Sequence, residues 1–324
     1  MRVSGLDRLR AVALVMMLVH HFVKWLYDGD PRDVLPGWEG FVVTDVAAPA
    51  FTIAAGASAV LWATRRPEGV PVPTIVRRYG LLVPIGMLLQ YLFTSHVAFD
   101  WGVLQALGLG VVVSTVVAMT VPSALAVGVL AAMALVSGPV VESSVESMSG
   151  RLADALGGVF PAVTYSGFAL AGATGGLLLR RNPERGWQAL ALGGALGVVT
   201  LVLLEAGMPP DRYPGGAAFV IPGVAGTLLL FGVLDRWSAM PAAFGNHTLG
   251  IFIAHYVVFW LLTELGVRGS MEAETAVVVA FLFVVLFAVF APRVPKLPWS
   301  PRTGWAYRPS WLPRQAKRWA SSAA

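Results

Sequence analysis

Ten apolar stretches recur along this chain, parted by short polar loops, and each has about the length that crosses bilayer hydrocarbon as a helix. They run roughly Leu9–Tyr27, Val42–Ala63, Tyr79–Thr94, Trp101–Met119, Val121–Val141, Ala162–Leu179, Trp187–Met208, Ala217–Leu234, Thr248–Val267 and Thr275–Ala291. Inside hydrocarbon every backbone N–H and C=O must be paired within the segment, so each stretch is committed to a helix. Overall, 56% of the residues are hydrophobic and 13% charged, with a mean hydropathy of +0.71. A soluble domain has no use for that much apolar surface. The expected class is therefore an all-α, polytopic integral membrane protein with about ten helices. The first apolar run is too long for a cleavable signal peptide and carries two histidines, so none is expected. The chain has no cysteine, which excludes disulfides, thiolate metal sites and a cysteine nucleophile.

The basic residues set the expected orientation. With the N-terminus in the cytoplasm, the inner side holds Arg2, Arg8, Arg10, Arg65, Arg66, Arg77, Arg78, Arg180, Arg181, Arg185 and Arg236. A tail with seven more basic residues joins them, so 18 of the 23 lysines and arginines are internal. Acidic residues mirror this bias, with Asp28, Asp30, Asp33, Glu39, Asp100, Glu142, Glu146 and Asp211 outside. Such a charge bias predicts N-in, C-in topology in the cell membrane. Two regions follow: residues 1–291 as a transmembrane domain, and residues 292–324 as a basic, Trp- and Pro-rich cytoplasmic tail. The tail suits either an interfacial segment on an anionic leaflet or a disordered extension. Topology accounts for its charge, so no nucleic-acid partner is expected. The loop from Glu142 to Phe160 has room for one short interfacial helix around Ser149-Gly-Arg-Leu-Ala-Asp-Ala-Leu.

Ionisable groups inside a membrane span are costly unless they face protein or water, so they mark sites. The first span carries Asp7, Arg8 and Arg10 at one end and His20, His21 and Lys24 towards the other. At 100° per residue, Arg10 and His21 fall on one stripe about 16 Å apart, with Asp7 roughly 40–60° off it. A functional ladder and a structural arrangement, with Arg10 snorkelling and His21 bonded within the bundle, both fit that stripe. Adjacent His20 points about 100° away, so the two histidines cannot readily share a metal, and no zinc spacing occurs elsewhere. Asp45 enters the second span at a depth similar to His21. It is placed either to hold that imidazole in one tautomer or to act on its own helix terminus. Gly56, Ala57 and Ser58 read as a close-packing helix face. Arg65-Arg66 and Arg77-Arg78 bracket one cytoplasmic loop, and bidentate guanidinium contacts there suit a phosphate-rich ligand as well as topology. Further polar candidates are His96, Gln105, Tyr165, Glu205, Asn246, His247, His255 and Glu264. His255 stands near mid-membrane, where function and an interhelical hydrogen bond are both open.

Two family patterns match these residues. Leu6-Asp-Arg-Leu-Arg10 through His21 resembles the opening of the family 3 membrane acyltransferases, whose hallmark is arginine, ten residues, then histidine. Arg77-Arg78 ahead of Pro84 is similar to that family's arginine-rich motif. Trp38-x-Gly40-x4-Asp45-x3-Pro49-x-Phe51-x4-Gly56 resembles the heparan-α-glucosaminide N-acetyltransferase family, as does Trp101-Gly-Val-Leu-Gln105-Ala-Leu-Gly108. Gly245-Asn-His-Thr-Leu-Gly-Ile-Phe-Ile-Ala-His255 is more distantly similar to a late span of the group. The resemblance implies an enzyme that takes an acyl group, as acetyl, from cytoplasmic acetyl-CoA and delivers it to a hydroxyl or amine of an extracytoplasmic glycan or glycolipid. It implies His21 as the catalytic imidazole, Asp45 as its orienting carboxylate, Arg10 on the CoA arm, and Arg77 and Arg78 on its phosphates. One position departs: the heparan enzymes place their catalytic histidine three residues before the tryptophan, and here that residue is Leu35. Outside this class, a transporter or flippase with a path through Arg10, His21 and His255 is the alternative, and no internal repeat favours it. A non-catalytic scaffold is the third reading.

Overall fold

The computed structural model describes residues 3–38, 41–65, 69–93, 101–121, 123–145, 147–148, 150–182, 186–208, 217–236, 245 and 247–290. His96, Asp100, Asn246, Arg66, Arg185 and the tail from 292 lie outside these. The helices are α1 (Ser4–Leu26), α2 (Ala47–Ala63), α3 (Val72–Ile75), α4 (Leu82–Phe93), α5 (Val103–Thr120) and α6 (Ala124–Val145). They continue as α7 (Arg151–Gly157), α8 (Ala162–Arg181), α9 (Gly186–Glu205), α10 (Ala217–Arg236), α11 (Thr248–Glu264) and α12 (Ala273–Phe290). Between α1 and α2 lie two-residue antiparallel strands, β1 (Gly37–Trp38) and β2 (Phe41–Val42), and a 3-10 turn, Val43–Val46. Among the described residues, nine helical segments are long and apolar enough to cross a membrane, and α11, at 17 residues, is a shorter tenth. The all-α polytopic class is thus what the chain adopts, and α7 fills the expected place of the short loop helix.

Two helices are central. α1 packs against α2, α10, α11 and α12, and α8 packs against α2, α5 and α6. Residues Leu14, Leu18, Phe22 and Leu26 of α1 cluster with Ile251 and Phe259 of α11 and with Ala276 and Ala280 of α12. The backbones of α2 and α8 approach closely. A Cβ on Gly56 would stand 2.2 Å from the Ala169 carbonyl oxygen, and one on Gly172 would stand 2.0 Å from that of Ile53. Small residues permit this contact, as in other membrane helix pairs. By contrast, α9 and α12 leave Val198, Val202, Phe281 and Leu282 exposed, a composition that suits lipid contact.

Contacts between loops and helix ends define two ends of the bundle. At one end Arg8 donates to the Leu234 carbonyl across 2.8 Å, joining the start of α1 to the finish of α10. At the other, the α11–α12 loop meets the end of α1, where the N–H groups of Gly269 and Met271 donate to Trp25 and Leu26. Trp101 Nε1 donates to the Phe160 carbonyl, tying the start of α5 to the approach to α8.

Three sequence readings change. The third span starts at Val72, because Pro73 sits in the first turn of α3, where its missing N–H costs nothing. Arg77 and Arg78 therefore lie within the span, on a π-helical turn, Val76–Gly80, and not in the loop before it. The sixth helix runs to Val145, so Glu142 is a buried helix residue accepting a hydrogen bond from Thr164 at 2.5 Å, not an external loop acid. α1 begins at Ser4 and not at Leu9, and it carries Asp7, Arg8 and Arg10 as the stripe reading expects.

Candidate active site

α1 is unbroken from Ser4 to Leu26, so Arg10 and His21 stand on the continuous helix that their shared stripe requires. At its N-terminal end Asp7 is buried and accepts a hydrogen bond from Arg10 one turn on, closing an ion pair. That contact uses one nitrogen of the guanidinium. Arg10 Nε is buried with no hydrogen-bond partner.

Arg78 reaches the same end of the bundle from the π-turn. It is buried, with Cζ 4.3 Å from the centroid of Trp62, near the end of α2. Its Cζ lies 5.7 Å from the centroid of the Tyr79 ring, and Tyr79 is also within electrostatic reach of Arg10. Arg78 Nε and Nη2 are buried with no hydrogen-bond partner. Buried guanidinium donors are normally satisfied, and a planar fork on an aromatic face with donors to spare is suited to an anion. Arg77, one residue earlier, is exposed. The wider turn of a π-helix shifts the residues that follow it, and such turns gather at functional sites.

The other end of the stripe holds the imidazoles. His20 Nδ1 is hydrogen-bonded to Thr44 Oγ1 at 2.8 Å, and Thr44 belongs to the 3-10 turn that leads into α2. Asp45, next on that turn, is buried, and the turn packs against α1 and α10. His21 Nδ1 meets His255 Nε2 of α11 at 3.2 Å, with the rings stacked 5.3 Å apart at 20°. His255 is fully buried, and its Nδ1 is hydrogen-bonded to the Phe252 carbonyl one turn back. Phe259 stands edge-on to both imidazoles. Phe252 and Tyr256 flank His255 on its own helix.

The structure thus brings His21 to His255 and His20 to the Thr44–Asp45 turn. It brings Arg78 to Trp62 and Tyr79, and it leaves Arg77 at the surface. Sequence reading alone named neither Trp62 nor Tyr79 as part of the site, and it set His255 with His21 only in the transporter alternative. The available signal was a polar or amphipathic residue within an apolar run. Leu35 is buried in the apolar cluster of α1 and α12, so no imidazole stands at that loop position. Among the described residues no group of three or more His, Cys, Asp or Glu could hold a metal ion.

Apolar helices around an imidazole pair, of which His255 is fully buried, with an under-satisfied arginine site further down the bundle, make this a polytopic membrane protein with a polar interior site. Residues 2–204 match the family model described as heparan-alpha-glucosaminide N-acetyltransferase, catalytic. That stretch is well over half of the chain, and the chain belongs to this family, whose activity makes it a membrane acetyltransferase by class. Comparison with curated proteins returns no match.

Proposed function

We propose that this chain moves an acetyl group from cytoplasmic acetyl-CoA to a hydroxyl or amine of a glycan or glycolipid on the extracytoplasmic side. The observation that carries the reading is the stripe on α1. One helix of a family acetyltransferase presents a guanidinium at one end and, three turns on, an imidazole held against His255. The proposed orientation is N-in, which puts Arg10 and Arg78 where CoA is and His21 nearer the acceptor. Arg78 grips a CoA phosphate through its unfilled donors, Arg10 holds the arm, and Arg77 contributes at the exposed rim. The roughly 16 Å between Arg10 and His21 is bridged by the extended donor.

In the transfer step the acceptor oxygen or nitrogen attacks the thioester carbonyl carbon while His21 takes its proton. The C–S bond breaks, and the departing CoA thiolate recovers that proton from the imidazolium. Asp45 is buried on the turn whose Thr44 bonds His20, and it helps to hold that turn against α1 beside the histidines. With Leu35 in the loop position, His21 is the imidazole that matches the family 3 pattern. The test is radiolabelled acetyl transfer in proteoliposomes, with acetyl-CoA binding measured in parallel. His21→Ala is expected to lower transfer by about 100-fold or more while binding persists, and His20→Gln to retain transfer. Wild-type rates from a folded His21→Ala protein would end the proposal.

A further inference from the structure

We propose that His255 is a positioning residue which fixes the proton of His21 on Nδ1, leaving Nε2 as the basic atom. The role in transfer rests on the acetyl-transfer reading above. The tautomer assignment rests on the hydrogen bonds alone.

Three hydrogen-bonded groups fix where the protons lie. The Phe252 carbonyl oxygen can only accept, so His255 Nδ1 must carry the hydrogen of their bond. In a neutral imidazole one nitrogen donates and the other accepts, so His255 Nε2 is then a lone pair. That lone pair faces His21 Nδ1 at 3.2 Å, so the shared proton belongs to His21 Nδ1. Neutral His21 is left with its lone pair on Nε2. The same bond survives when His21 becomes an imidazolium, because Nδ1 keeps its hydrogen throughout. His255 therefore orients the base without taking part in the proton's movement. Its complete burial and the edge contact of Phe259 with both rings hold the pair in one arrangement. The residue also lies beyond residues 2–204, so the partner of the α1 imidazole comes from the part of the chain that the family model does not cover.

The roles divide accordingly. In triads a carboxylate commonly holds the second nitrogen of the base. Here the observed partner of His21 Nδ1 is another imidazole, which is neutral when it accepts. The orientation is supplied by a helix one turn of which, Phe252 to His255, is itself locked by the carbonyl bond.

The experiment uses the full chain in lipid nanodiscs with 15N-labelled histidine, the His21 signals being assigned by their loss in His21→Gln. The expected spectrum shows neutral His21 protonated at Nδ1 and bare at Nε2. His255→Leu removes the acceptor, and the His21 signals should move to a mixture of both tautomers. kcat for acetyl transfer should fall by about 10- to 100-fold, a part of what a positioned base supplies, with KM for acetyl-CoA unchanged. His255→Gln, whose amide can accept from His21 and donate to Phe252, should restore the single tautomer and part of kcat. A wild-type spectrum with the proton on Nε2 overturns the assignment, as does a folded His255→Leu protein with the wild-type tautomer and kcat. If the tautomer follows His255 as expected while no acetyl transfer is found in the wild type, the positioning stands and the transferase reading falls.

Discussion

Arg77 and Arg78 are neighbours of the same type, yet they do different work. Arg78 is buried against the Trp62 ring with two nitrogens unfilled, and Arg77 is exposed. Charge-assisted bonds to a phosphate are worth about 1.5–3 kcal/mol each. Arg78→Ala should therefore weaken acetyl-CoA binding by about 2 kcal/mol or more, and Arg77→Ala by far less, both read by calorimetry on detergent-solubilised protein. Arg78→Lys separates charge from shape: it keeps the cation but loses the planar fork and its stack, so it should recover only part of the affinity. Equal losses from Arg77→Ala and Arg78→Ala would place the anion at the surface. The sequence pointed to the pair and not to the member, because a single π-turn decides which side chain faces inward. His21, by contrast, was singled out over His20 by its stripe with Arg10, while its contact with His255 depends on how α11 is set against α1.

At the scale of the helix, the contact of α2 with α8 is the most exacting in the fold. Gly172 lies so near the Ile53 carbonyl that an added Cβ meets backbone, which cannot turn aside as a side chain can. Gly172→Ala should lower the unfolding temperature in detergent, with an overpacking cost of about 1–3 kcal/mol. Gly175→Ala is the control: nothing lies within 4 Å of its added Cβ, so only the helix-propensity gain of alanine applies and the unfolding temperature should hold or rise. A loss from Gly175→Ala as large as that from Gly172→Ala would remove close approach to Ile53 as the cause, because helix propensity favours alanine at both positions. The packing role of Gly56 was readable from its small neighbours, Ala57 and Ser58. The burial of Glu142 was not, because helix ends are poorly marked in apolar sequence and four more residues brought the carboxylate under Thr164. The segmentation into apolar helices was legible almost throughout, since length and hydropathy are local properties. The π-turn and the α1–α11 pairing are tertiary, and no local pattern announces them.

Across the whole molecule, acetyl transfer through a bilayer needs the two ends of the bundle to face opposite compartments. The fold sets Arg8, Arg10 and Arg78 towards one end, and it sets the α11–α12 loop and the Pro31–Asp33 turn at the other. The proposed orientation, read from charge bias, assigns the first end to the cytoplasm. The absence of cysteine makes the assignment directly testable, because any thiol introduced is the sole target for labelling. Asp33 is exposed on the turn after α1, and Asn182 is exposed just after α8, beside Arg180 and Arg181. In intact cells a membrane-impermeant maleimide should label Asp33→Cys at once. Asn182→Cys should be labelled only after the membrane is opened. Both substitutions lie outside the site, so acetyl transfer serves as the check that the labelled protein is folded. The reverse pattern would put the arginines on the side away from cytoplasmic CoA, and the proposed direction of transfer would then fail even with every residue of the site in place.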